Sequence, residues 1–97
     1  MVSADPAIVW RRWMIRGRVQ GVGFRYFTKR LADDLALKGW VRNLPTGGVE
    51  VVAAGNEKDL ESLEKALRNG PPAARVEAIE ASSLSAFDQP ERFEIVR

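Results

Sequence analysis

"GRVQGVGFR", residues 17–25, places three glycines just before an arginine, where a strand pattern gives way to a helical one. Glycine weakens the interior of either element. Arginine in the first turn of a helix faces the positive end of the helix dipole, which is mildly unfavourable. Both choices make sense together if the turn holds a negative group. Backbone N–H groups at a helix start lack intrahelical partners and point outward together. Glycines let the preceding loop curl so that further N–H groups face the same point. Arg25 adds a planar, permanently charged fork suited to phosphate oxygens. The stretch therefore reads as a cradle for a small tetrahedral anion. It matches neither G-x-x-x-x-G-K-[ST] nor G-x-G-x-x-G. On spacing alone, a tight turn with a surface arginine is the plainer alternative.

Working outward, residues 8–16 read as a strand, with Trp13 and Ile15 alternating with Arg12, Met14 and Arg16. From Phe24 onward, Phe24, Phe27, Leu31 and Leu35 form one helical stripe, which assigns both phenylalanines to the core. Lys38 then falls in the last turn, with Gly39 as the expected stop. "WVRNL" is a second strand, "LPTGG" a turn and "VEVVAA" a third strand. Asn56 is a natural N-cap, with Glu57 and Asp59 in the first turn of a second helix. Leu60, Leu63 and Leu67 supply its stripe, and "RNGPP" ends it. "ARVEAIEAS" is a fourth strand whose imperfect alternation suggests a bulge. "FEIVR" is a short edge strand. Residues 1–7 form a flexible lead to a single domain over residues 8–97.

This order implies an α+β class chain with a ferredoxin-like βαββαβ sandwich. Its antiparallel/mixed sheet carries two helices on one face and the short C-terminal edge strand. In that topology the first two strands run parallel, joined by a right-handed crossover. Their C-terminal ends share one rim, which brings the loop before Arg25 close to Asn43.

Composition narrows the chemistry. The 97 residues carry a formal charge of +2 and contain neither cysteine nor histidine. Disulfides, thiolate nucleophiles, imidazole bases and the usual zinc ligands are excluded. The small positive excess suits an anionic small molecule and does not point to nucleic acid. No apolar run approaches the roughly 20 residues that span a bilayer. The start lacks the basic and apolar regions of a signal peptide, so a cytoplasmic protein without a membrane is expected.

With these side chains, water is the nucleophile. An alkyl phosphate ester needs help for its alkoxide leaving group. A carboxylic–phosphoric anhydride does not, because the acid it releases has a pKa of about 4. Positioning and charge stabilisation then suffice. Arg25 would bind the phosphoryl oxygens, and the Asn43 amide oxygen would hold the attacking water. A phosphoryl oxygen would take its proton.

"GRVQGVGFR" and "GWVRNLPTGGVEVVAAG" resemble the two signature stretches of the acylphosphatase family. The first carries G-x-V-Q-G-V-x-F-R in full. The second runs glycine, aromatic, valine, basic, asparagine, then G-x-V and a glycine after the strand. The resemblance implies hydrolysis of acyl phosphates without metal or cofactor, with inorganic phosphate as product and competitor. Arg25 matches the family's phosphate-binding arginine and Asn43 its water-orienting asparagine. Arg18, Val19, Gln20, Gly21 and Val22 match its amide cradle. Gly23 departs from a position that is often aromatic, and Arg97 ends the chain where many relatives place an aromatic.

A monomer standing alone is expected, although similar segments occur within larger carbamoyl-transfer maturation proteins. The alternatives are a non-catalytic phosphate- or anion-binding module and an RNA-binding module of the same topology. The absence of an aromatic in "VEVVAA" counts against the latter. "WRRW", residues 10–13, reads as a surface aromatic–basic patch, or simply as singly exposed apolar residues with no binding role. Trp40 is assigned to packing. Glu57, Asp59, Glu61 and Glu64 are assigned to a solvated helix face.

Overall fold

A computed structural model describes residues 8–85 and 90–97. The expected lead at residues 1–7 lies outside the described residues. The elements run β1 (Val9–Arg18), α1 (Phe24–Asp34), β2 (Lys38–Asn43), β3 (Val49–Gly55), α2 (Glu57–Asn69), β4 (Arg75–Leu84) and β5 (Phe93–Ile95). The sheet order is β4-β1-β3-β2-β5. Both β1 and β2 pair antiparallel with β3, so they run parallel to each other, as the crossover topology requires. β5 joins the outer side of β2 in parallel, which makes the sheet mixed. The β1–β4 register shifts between Arg16 and Gly17, the bulge suggested by the alternation.

Alternation sorts the side chains. Trp13 and Ile15 of β1, Val41 of β2 and Val49, Val51 and Ala53 of β3 are buried in the main core beneath the helices. Leu60, Leu63 and Leu67 of α2 complete it. Burying each such leucine stabilises the fold by about 1.5–3 kcal/mol. Trp10, Val52 and Ala54 form a smaller cluster, with Trp40 and Leu84 packed against it. These residues alternate with the helix-side set, so the cluster occupies the sheet face away from the helices.

Three expectations need correction. First, α1 ends at Asp34, so Lys38 and Gly39 belong to β2. The chain leaves the helix through Ala36, at φ +56°. Ala36 N–H donates to Asp33 O at 3.0 Å and Leu37 N–H to Ala32 O at 2.8 Å, a Schellman closure built on alanine. Gly39 serves the sheet instead, because a Cβ there would lie 1.9 Å from Val52 O.

Second, the deepest line of α1 is Phe24, Thr28 and Ala32. Small residues let the helix approach the sheet, and Thr28 Oγ1 donates to Phe24 O at 2.9 Å, so its burial leaves no unmet donor. Phe27 is half-buried at the flank, its ring edge-on to Phe24 with centroids 6.0 Å apart.

Third, "WRRW" is no surface aromatic patch. Trp10 and Trp13 are 2% and 0% exposed. Three residues apart on a strand, they enter opposite faces. Arg11 pairs with Glu57 at 3.4 Å and Arg12 with Glu50 at 2.7 Å. No helix among the described residues is long and apolar enough to cross a membrane.

Candidate active site

The C-terminal ends of β1 and β2 open onto one rim, where α1 begins. A cleft of about 360 Å³ lies there, lined by Val19, Gly21, Gly23, Phe24, Arg25, Tyr26, Asn43, Ile95 and Arg97. Arg25 and Asn43, assigned from separate stretches, thus face one cavity. The lining residues include two arginines and no aspartate or glutamate. Among the described residues neither Arg25 nor Arg97 takes part in a salt bridge. An arginine held in no salt bridge beside a low-dielectric wall favours an anion.

The loop is shaped by Gly21 and Gly23, at φ +74° and +80°, with nothing within 4 Å of a Cβ added at either. Backbone handedness rather than crowding calls for glycine there. Gly23 is the N-cap of α1 and supplies no side-chain acceptor, and the first turn holds no acidic residue. The amides of this helix start therefore receive no carboxylate or hydroxyl from their own sequence.

Asn43 ends β2 on the same face as the buried Val41, which turns it towards the helices. Gln20 ties the loop to the turn beyond it. Gln20 Nε2 donates to Leu44 O and Gly48 O, both at 2.8 Å. These are the carbonyls that bracket the hairpin, where Leu44 N–H donates to Gly48 O at 2.8 Å. Gln20 thereby sets the distance between the glycine loop and the strand end carrying Asn43.

Of the other expected cradle residues, Val19 and Gly21 line the cleft, whereas Arg18, Gln20 and Val22 do not. The Arg18 side chain is exposed, Gln20 is committed to the turn, and Val22 packs on the main core. Tyr26, Ile95 and Arg97 are lining residues that the motifs did not single out. Tyr26 follows Arg25 directly, so a scan of the first helical turn would have found it. Ile95 and Arg97 reach the cleft because β5 runs parallel to β2, with Ile95 opposite Val41. No local pattern states that pairing.

The perturbed carboxylates lie elsewhere. Glu50, on the face away from the helices, accepts from Arg42 at 2.6 Å and Arg12 at 2.7 Å. Burial alone pushes its carboxyl up, but the bonds from Arg42 and Arg12 together outweigh it and hold the group below its ordinary value. Glu64, expected on a solvated face, accepts the Trp13 indole N–H at 2.9 Å. That bond, aided by Arg68 and opposed by burial, lowers its pKa. Both carboxylates brace the fold. No group of three or more His, Cys, Asp or Glu among the described residues is placed to hold a metal ion.

Residues 11–95 match the family model described as Acylphosphatase. The acylphosphatase of Archaeoglobus fulgidus is 44% identical over 81 residues, covering 84% of this chain and 90% of that protein. The crystal structure of acylphosphatase from Bacillus subtilis superposes with a TM-score of 0.88 at 42% identity, covering 92% of this chain and 99% of that one. A full-length HypF structure in a phosphate- and nucleotide-bound form also matches, with a TM-score of 0.85 at 30% identity, over 99% of this chain and 13% of that one. By sequence over most of its length and by fold, this chain belongs to the acylphosphatase family.

Proposed function

We propose that the chain hydrolyses the carboxyl–phosphate bond of acyl phosphates to a carboxylate and inorganic phosphate. The observation that carries this is one cleft bounded by a glycine-turned helix start, Arg25 and Asn43, with no carboxylate side chain in its lining. The phosphoryl group sits against main-chain amides of the loop at Val19 and Gly21 and of the start of α1, with the Arg25 fork on its oxygens. Asn43 Oδ1 accepts a hydrogen bond from the attacking water and aims it at phosphorus. The water oxygen bonds to phosphorus, and the bond to the carboxyl oxygen breaks. Its electron pair leaves with the carboxylate, while the water proton passes to a phosphoryl oxygen. Charge gathered on the equatorial oxygens is met by donors already in place. Gln20 acts as a positioning residue through its two carbonyl bonds.

The reading extends to a monomer acting in the cytoplasm on a small-molecule substrate. The deciding experiment is hydrolysis of acetyl phosphate by chelator-treated protein, beside Arg25→Ala. Turnover by the parent, loss in the variant and competition by inorganic phosphate are expected. Phosphate binding without any turnover would favour a non-catalytic anion-binding module.

A further inference from the structure

A second groove, about 400 Å³, adjoins the phosphate cleft and shares two lining residues with it, Gly23 and Tyr26. Away from that junction its walls are Phe27, Leu31 and Pro71. Arg30 and Asp34 also line it, one charge of each sign, so the groove has no net charge to offer an ion. Tyr26 is 64% exposed, an aromatic wall standing free at the meeting point. Gly23 leaves that junction open, since it carries no side chain and nothing lies within 4 Å of where a Cβ would sit.

The direction of the chemistry selects this groove. In-line displacement places the leaving carboxylate opposite the attacking water. Asn43, Ile95 and Arg97 line the phosphate cleft but not the groove. The groove instead leaves the cleft on the side of the loop and α1. We infer that it receives the acyl group, and that the enzyme prefers acyl phosphates with an uncharged apolar chain or ring. This rests on the acyl phosphate hydrolysis proposed above.

Straight-chain alkanoyl phosphates test it on the intact protein, because lengthening the chain scarcely changes the basicity of the departing carboxylate. From acetyl to butanoyl to hexanoyl phosphate, kcat/KM is expected to rise about two- to fourfold per methylene that enters the groove. Butanoyl phosphate should outrun succinyl phosphate, which has the same chain length with a terminal carboxylate. Tyr26→Ala and Phe27→Ser should flatten the dependence on chain length. Tyr26 is solvent-exposed, so its variant tests the groove even if the Phe27 variant folds poorly. A flat series, or succinyl phosphate as the best substrate, overturns the acyl groove while leaving acyl phosphate hydrolysis standing. No hydrolysis of acetyl phosphate at all overturns both.

Discussion

The two helices of this protein begin in opposite ways. Asn56 caps α2 by accepting the Asp59 N–H at 2.8 Å, and Glu57 and Asp59 set negative charge against the positive end of the dipole. Gly23 begins α1 with no side-chain acceptor, no acid in the first turn and Arg25 one residue inside it. One start is satisfied by its own sequence. The other has no side-chain cap or acid of its own and carries Arg25 in its first turn. Under the proposed function, stability and binding are thus divided between the two helix starts.

The sharpest way to break this contrast is Arg25→Ala. Losing a charged donor at the phosphoryl group should cost about 3–4 kcal/mol in the transition state, read as a fall in kcat/KM for acetyl phosphate. The denaturation midpoint should hardly move, because Arg25 is in no salt bridge among the described residues. Asn43→Ala should lower kcat about 100-fold by freeing the water, while the inhibition constant for inorganic phosphate stays close to that of the parent. A parental kcat in this variant would remove Asn43 from the mechanism.

The α2 side should respond the other way round. Asn56→Ala should cost about 1 kcal/mol of stability in urea denaturation, with acetyl phosphate turnover unchanged. The smallest effect concerns Glu64, whose pKa is lowered chiefly by the Trp13 indole bond. Its contribution is complete above the ordinary value of 4.5 and fades as pH falls through the lowered folded value. Glu64→Gln should flatten the acid limb of the stability profile by less than about 1 kcal/mol. An unchanged limb would mean that the indole bond does not favour the charged form.

Much of the fold was legible because it follows local periodicity. The leucine stripe and Asn56 cap mark α2, and "VEVVAA" marks β3, since these signals act within a few residues. The end of α1 was misread for an equally local reason. Glycine is the usual left-handed stop, and here Ala36 fills that role three residues before Gly39. Phe27 was overrated because periodicity reports the apolar side of a helix, not which line of it meets the sheet. Glu64 was misplaced because its partner, Trp13, stands on a strand 51 residues away.

For the candidate site, the glycines, Arg25 and Asn43 were legible as residue types at fixed spacing, since backbone handedness and guanidinium chemistry belong to single residues. The engagement of Gln20 with Leu44 and Gly48, and the arrival of Arg97 at the cleft, were not. Those depend on the loop reaching the hairpin and on β5 joining β2 in parallel. By itself, then, the sequence determined the order of elements, the pattern of glycines and arginine at the start of α1 and the absence of thiol and imidazole side chains. Tertiary structure alone decided which distant residues complete the cleft and that an apolar groove opens beside it. Local preferences act along the chain, whereas a cavity is set by how separate segments pack.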